Sequence, residues 1–253
     1  MALFTSGSAY EDFMGRYSRR LAPLFAEFAG ISSGMAVADV GAGTGALTAE
    51  LVRLGATVAA ADPSPEFVAS LLQNLPDVEA HQAPAEQLPW PDGAFDAVLA
   101  QLVVTFMRDA PAGVAEMRRV VRPGGTVAAC MWDREGMELL AAVNRTQGAF
   151  GSSGPMPEAR TLYRTREEIE SLFADGFGEM TSELLEVECS YRDFDELWTS
   201  LLGGVGPAGA WAVSLGVAER DAARAELHRQ LGEPGGSFAL RARAWATRAR
   251  PET

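Results

Sequence analysis

Val37-Ala38-Asp39-Val40-Gly41-Ala42-Gly43-Thr44-Gly45 is an apolar strand that runs straight into a glycine-rich turn. A helical pattern follows at once, with Leu47, Leu51 and Leu54 at i, i+4 and i+7 and Gly55 as a C-terminal stop. Strand, glycine turn, helix is the arrangement that lets backbone approach a nucleotide-like ligand. Glycine has no Cβ to collide with the ligand and tolerates positive φ. The helix start presents unpaired N–H groups.

Working outward, Ala56-Thr57-Val58-Ala59-Ala60-Ala61 reads as the next strand, and Asp62 stands at its end. A carboxylate there can accept from both hydroxyls of a ribose, and charge-assisted bonds are the strong ones. The plain alternative is that Asp62 only caps its turn, where Asp is common. Ser64-Pro65-Glu66 then starts a helix with an N-cap, a first-turn proline and an acid near the positive end. Two cofactor classes use such a turn. Gly41-x-Gly43-x-x-Ala46 fits the loose dinucleotide fingerprint. Gly41-x-Gly43-x-Gly45 with Asp39 two residues earlier resembles motif I of the class I S-adenosylmethionine (SAM) methyltransferases. The glycines alone do not choose between them, nor does Asp62.

The length of 253 residues allows one large α/β domain. No apolar run is long enough for a membrane span, and the start shows no secretory pattern. Cys130 and Cys189 lie in apolar strand-like stretches and read as buried free thiols. With His81 and His228 as the two histidines, a metal site is not expected. A cytoplasmic location fits this cysteine usage. The net charge of −13 repels phosphate backbones and anionic membranes, so neither nucleic acid nor membrane is an expected partner.

The remaining elements alternate. A helix carrying Phe67, Val68, Leu71 and Leu72 ends at Pro76, and Val78–Gln82 is a short third strand. Phe95–Ala100 is a fourth, continuous in apolar character as a central parallel strand should be. Asp109-Ala110-Pro111 opens a helix, Pro123-Gly124-Gly125 turns sharply, and Thr126–Met131 is the fifth strand. This alternation implies a parallel, doubly wound sheet. Farther on, Thr165-Arg166-Glu167-Glu168 reads as a capping box. Leu185–Tyr191 and Phe238–Thr247 alternate apolar with polar residues, as half-buried, edge-type strands do. If these two pair, Glu186 and Glu188 face Arg241 and Arg243.

Four segments in order carry a family resemblance. Ala38–Gly45 looks like motif I, and Ala85-Glu86-Gln87-Leu88-Pro89-Trp90-Pro91-Asp92-Gly93-Ala94-Phe95-Asp96 is similar to a run in the ubiquinone/menaquinone C-methyltransferase-like (methyltransferase type 11) branch. Arg119-Val120-Val121-Arg122-Pro123-Gly124-Gly125 resembles that branch's turn before strand five, and Tyr10–Ser18 resembles its first helix. The resemblance covers about residues 8–133 and the terminal strand. It implies a Rossmann-like doubly wound seven-stranded sheet, last strand antiparallel, with a helical lid. The implied layout is one domain over 1–253. It comprises an N-terminal helical cap at 1–30, a SAM-binding core at 31–133, lid or substrate insertions at 134–164 and 192–236, and a final antiparallel strand at 237–250. The implied activity is SAM-dependent transfer of a methyl group to C or O of a small apolar or aromatic molecule, leaving S-adenosylhomocysteine. The alternatives are a SAM-binding protein that transfers no methyl, and an NAD(P)-dependent oxidoreductase.

The resemblance assigns the cofactor positions. Gly41, Ala42 and Gly43 pass beneath the amino-acid end of SAM, and Asp39 holds its ammonium. Asp62 takes the ribose hydroxyls, Pro63 or Ser64 covers an adenine face, and Ala85 with Glu86 meets the adenine edge. Gln101, after the fourth strand, faces the methionyl part, and Arg16 reaches the carboxylate from the first helix. Pro84 replaces an Asp common in relatives, and Thr105 replaces a His. Candidates for a general base are His228, Tyr163, Tyr17 and Glu135. Displacement at a sulfonium needs one only for a poorly acidic acceptor. Phe106, Met107, Trp132, Phe150, Trp198 and Leu202 are candidate apolar lining residues.

Overall fold

The computed structural model describes residues 7–150 and 162–252. Residues 1–6 of the cap and 151–161 of the first insertion therefore lie outside the described residues. The chain opens with α1 (Gly7–Tyr10), a π-helical stretch Glu11–Gly15, and α2 (Arg16–Phe28). Then come β1 (Ala36–Val40), α3 (Ala46–Arg53), β2 (Thr57–Asp62), α4 (Pro65–Asn74), β3 (Glu79–Gln82) and β4 (Phe95–Gln101). They are followed by α5 (Ala110–Val120), β5 (Val121–Met137), α6 (Glu138–Ala149), α7 (Arg166–Glu170) and β6 (Phe177–Tyr191). The chain closes with α8 (Phe194–Leu201), α9 (Gly206–Ser214), α10 (Val217–Gln230) and β7 (Phe238–Pro251).

All seven strands form one sheet in the order β3-β2-β1-β4-β5-β7-β6. The strands from β3 across to β5 are mutually parallel, and β7 runs antiparallel to both neighbours. This is the expected Rossmann-like sheet with an antiparallel final strand. Val37, Ala38 and Val40 of β1 and Ala97–Ala100 of β4 are fully buried, since central parallel strands are covered on both faces. The order reverses direction between β1 and β4, so a crevice opens at their carboxyl ends.

The local signals act as their chemistry requires. Ser64 caps α4 by accepting from the Phe67 N–H at 3.3 Å, and Asp109 caps α5 by accepting from Ala112 at 3.0 Å. Thr165 caps α7 through the Glu168 N–H, but Glu168 does not complete the box. Its side chain is drawn instead to the Arg164 N–H at 2.7 Å and to Arg134 at 2.5 Å.

Two expectations change and one holds with a different outcome for its charges. The fifth strand is longer than Thr126–Met131: Pro123-Gly124-Gly125 forms a bulge within it, between the Val121–Phe95 and Thr126–Ala97 pairs, with Gly124 at φ 76°. β7 is not an edge strand, because it lies between β5 and β6. Its alternation comes from arginines whose charged ends reach Asp133, Glu138 and the Phe28 carbonyl. Glu186 and Glu188 do stand opposite Arg243 and Arg241 in the ladder. The ion pairs of those arginines, however, go to Asp133 (3.5 Å) and Glu138 (3.1 Å).

Two motifs that look independent in sequence clasp each other. The Arg119 guanidinium donates to the Trp90 carbonyl at 2.8 Å and the Leu88 carbonyl at 3.1 Å, and it pairs with Asp92 and Glu116. Glu116 in turn accepts from the Leu88 N–H at 3.0 Å. The proline-punctuated loop after β3 is thereby fixed to α5. Asp96 accepts from the Ala36 N–H and from Arg122, tying β4 to the start of β1.

Candidate functional site

A cavity of about 890 Å³ occupies the crevice at the carboxyl ends of β1, β2, β4 and β5. Its size suits a cofactor with a small second ligand. Tyr10, Phe13, Met14 and Ser18 from the first helices close one side, and α6, Arg164 and Val205–Ala208 close another.

The glycine turn forms the floor beside β1. The Gly41 and Ala42 N–H groups both donate to the Ala61 carbonyl, at 2.7 and 3.1 Å. Gly41 has φ 71°, and a Cβ there would meet Val103 Cγ2 at 2.3 Å, so only glycine fits beneath Val103. Gly43 has φ 56° and nothing within 4 Å of its Cβ position. Its free side faces open space rather than protein, which is what a backbone that must lie against a ligand needs.

Asp39 is buried near the end of β1. Its Oδ2 accepts from the Thr48 hydroxyl of α3 at 2.6 Å, while Oδ1 has no hydrogen-bond partner. Burial pushes the carboxyl up to about 7; the Thr48 hydroxyl opposes the shift and the Asp62 charge reinforces it. Asp62 accepts from the Gly43 N–H and the Ser64 N–H, both at 2.9 Å. Capping is therefore part of its work: it ties the first glycine turn to the start of α4. Its carboxyl is also raised by burial, against the pull of those two N–H groups.

Gln101, the last residue of β4, donates from Nε2 to the Ser18 carbonyl at 3.1 Å, and its Oε1 is buried without a partner. Leu102 follows at φ 61°, a left-handed conformation that costs a leucine of order 1 kcal/mol or more. The Leu102 N–H bonds the Cys130 carbonyl at 2.9 Å, which holds the strained link against β5. Thr105 Oγ1 is also buried and unpartnered on the cavity wall. Glu86 accepts from the Arg108 and Asp109 N–H groups at 2.7 and 3.0 Å, so it also orders the approach to α5.

Of the expected cofactor positions, Asp39, Gly41, Ala42, Gly43, Asp62, Pro63, Ala85, Glu86 and Gln101 all line this one cavity. Arg16 does not. It pairs with Glu196 at 2.7 Å and lies 4.4 Å over the Tyr191 ring, lining a separate shallow groove. The face of α2 that carries Arg16 turns toward α8 and β6, and the helix instead offers Ser18 to the cavity. The four base candidates also stand outside it. Tyr17 is buried against Tyr191, hydroxyl to hydroxyl at 3.1 Å. His228 reaches the Pro234 carbonyl and packs on Phe194. Glu135 is exposed, and Tyr163 at φ 62° packs against the core outside the cavity. Among the lining candidates Phe106, Met107 and Trp132 reach the cavity, whereas Phe150, Trp198 and Leu202 do not. Sequence reasoning missed Tyr10, Arg164 and the strained Leu102. Tyr10 opens the segment that resembles the family's first helix, but the resemblance attaches no role to it; Arg164 has no motif to mark it, and no propensity rule places a leucine at positive φ.

This set of groups fits SAM. The ligand carries a cationic sulfonium and an ammonium; the site supplies two bare buried acceptors, Asp39 Oδ1 and Gln101 Oε1, and the carboxylate of Asp62. Among the described residues no cluster of His, Cys, Asp and Glu is placed to hold a metal ion, and no helix is long and apolar enough to cross a membrane.

Comparisons with known proteins agree with the geometry. Residues 38–129 match the family described as a methyltransferase domain. Over 127 residues the chain is 44% identical to an uncharacterized methyltransferase of Mycobacterium tuberculosis, covering 50% of this chain and 51% of that protein. Over 90 residues it is 38% identical to a demethylmenaquinone methyltransferase of Chlorobaculum parvum, covering 35% and 37% of the two chains. The chain spans about half the length of the curated relatives it matches. A solved putative type II methyltransferase from Anaeromyxobacter dehalogenans superposes with a TM-score of 0.68 at 24% identity, covering 91% of this chain and 97% of that one, a likeness of fold. With the motifs in order, the sheet topology and the matched segment on the page, residues 38–129 carry a methyltransferase domain, and the chain is similar to class I S-adenosylmethionine methyltransferases, demethylmenaquinone methyltransferases among them.

Proposed function

We propose that this chain transfers a methyl group from SAM to a carbon or oxygen of a small, largely apolar or aromatic molecule. The observation that carries the reading is the bare Oδ1 of Asp39, buried beside the Gly41–Gly43 turn in a cavity that Met131 and Trp132 of β5 also line. Asp39 and Gln101 would hold the amino-acid end of SAM, Asp62 the ribose, and Pro63 with Ala85 the adenine. When bound, SAM supplies an electrophilic methyl group on a cationic sulfur.

The protein's contribution is placement and exclusion of water. An in-line displacement gains most from holding the two reactants at contact distance in one orientation. The described parts of the segments 134–164 and 192–236 act as a lid in this reading, since Leu140, Asn144, Gln147 and Val205–Ala208 line the cavity. None of the four base candidates reaches the cavity. Transfer therefore relies on alignment and on an acceptor that arrives nucleophilic. Tyr10 does line the cavity, with its hydroxyl 3.2 Å from Ser18 Oγ, but burial raises its pKa and leaves it a hydrogen-bonding group rather than a base at neutral pH.

That none of the four candidates reaches the cavity also favours a second reading, in which the chain binds SAM and transfers no methyl. Incubation with methyl-labelled SAM and a panel of phenols, enols and quinols separates the two. Label appearing in an organic-soluble product supports transfer. Tight S-adenosylhomocysteine binding with no label transferred supports the second reading. No binding of SAM or its product by folded protein refutes both.

A further inference from the structure

We propose that the far end of the cavity is an oxyanion site, and that Arg164 receives a carboxylate or phosphate group carried by the methyl acceptor. The word acceptor rests on the methyl-transfer reading; the anion site does not. Arg164 lines the cavity and is only 7% exposed. Its Nε donates to the Trp132 carbonyl at 3.2 Å and its Nη2 to the Asp133 carbonyl at 3.4 Å. A guanidinium has five N–H groups in a planar fork, so most of its donors remain for a ligand.

Among the described residues Arg164 has no ion-pair partner, although two acids are nearby. Glu168 gives its Oε1 to Arg134 at 2.5 Å and its Oε2 to the Arg164 backbone N–H, not to the guanidinium. Asp133 pairs with Arg243 at 3.5 Å. Both counter-ions are thus committed elsewhere. A buried charge without a partner is costly, and two neutral carbonyls offset only part of that cost. The fork geometry that completes such a site is a carboxylate or phosphate bound through two N–H groups.

The rest of the cavity is consistent. Its acids, Asp39, Asp62, Glu66 and Glu86, belong to the ends of β1 and β2, to the start of α4 and to the loop after β3. Arg164 and Arg134 stand at the carboxyl end of β5, where Asn144 and Gln147 of α6 add neutral donors. Arg108 lines the cavity too, beside Glu86, but of the three lining arginines only Arg164 is buried. The backbone beside Arg164 is strained, with Tyr163 at φ 62°, as is common where a side chain is held for a ligand.

The test titrates the whole chain, with and without S-adenosylhomocysteine, against benzoate, phenyl phosphate and neutral benzamide, read by calorimetry and tryptophan fluorescence. The expected result is that benzoate or phenyl phosphate binds about tenfold or more tightly than benzamide, the better of the two identifying the group. Arg164→Gln should erase the preference, and Arg164→Lys should keep part of it. Equal binding of all three probes overturns the proposal, as does a preference that survives in Arg164→Gln. If Arg164→Gln does not fold, the wild-type comparison and Arg164→Lys still decide. Failure to bind S-adenosylhomocysteine, with anion preference intact, removes the methyl-transfer reading and leaves the anion site standing.

Discussion

Replacing Asp39 by Asn should make the ligand-free protein more stable at alkaline pH while weakening its hold on the cofactor. The Asp39 carboxyl has an ordinary value of 3.8 and is pushed up to about 7 in the folded chain. The folded state therefore keeps a proton that the unfolded state has lost, and wild-type stability falls as pH rises from about 4 to about 7. Three units at 1.36 kcal/mol each set a ceiling of about 4 kcal/mol for this loss. Asparagine carries no charge, so its contribution has no such slope. It keeps an oxygen for the Thr48 hydroxyl but puts an unpaired amide where Oδ1 was, at a pH-independent cost of about 1–3 kcal/mol. That cost cancels when two pH values are compared. Between pH 5 and pH 8 the stability of Asp39→Asn relative to wild type should rise by about 2–3 kcal/mol. Urea unfolding at both pH values measures it. In the same samples, S-adenosylhomocysteine affinity should drop about 10- to 100-fold, the worth of one charge-assisted bond to an ammonium. A difference that stays flat with pH, or affinity that survives the substitution, refutes the reasoning.

The glycine turn gives a paired prediction. Gly41→Ala should lose about 2–5 kcal/mol in urea melts, since strain at φ 71° adds to the overlap with Val103. Gly43→Ala should lose only about 1–2 kcal/mol, yet bind S-adenosylhomocysteine far more weakly, because its new methyl occupies ligand space. Arg119→Ala should cost about 1–3 kcal/mol and speed amide exchange across residues 84–93, because it unhooks the Trp90 and Leu88 carbonyls; unchanged exchange there would contradict the clasp. Arg16→Ala should leave S-adenosylhomocysteine affinity within about twofold, since Arg16 serves Glu196 and Tyr191; calorimetry showing a larger loss would return Arg16 to the cofactor site.

The parallel half of the sheet was readable because each feature there has a local cause. A strand covered on both faces must be apolar throughout, and a turn under Val103 must be glycine. Asp39 and Asp62 sit at fixed offsets from those turns, so their approach to one cavity follows from topology. Arg16 was not readable in the same way. A helix rotates its side chains by about 100° per residue, and nothing in Arg16-Tyr17-Ser18 says which of the three meets the cavity. The half-polar alternation of β7 suggested an edge, but long arginine stems can cover a sheet while their charged ends reach acids elsewhere. Arg164 carried no signal at all. Its meaning depends on Glu168 and Asp133 being taken by other arginines, a fact about three-dimensional neighbours that spacing does not encode.

The two ends of the cavity therefore carry different kinds of information. The matched family segment stops at residue 129. Asp39, Asp62, Ala85 and Gln101 fall inside it, so similarity to known methyltransferases bears on how a cationic cofactor is gripped. Arg134, Asn144, Gln147, Arg164 and Val205 fall beyond it; they line the same cavity, and in the proposed methyl-transfer reading they shape the space for the acceptor. Relatives that share the first half need not share the second, because the lid segments leave the sheet at a strand end and can vary without disturbing the glycine turn. The identity of the acceptor thus has to be read from this chain's own residues. The most constraining of them is a buried arginine whose neighbouring acids are already spoken for.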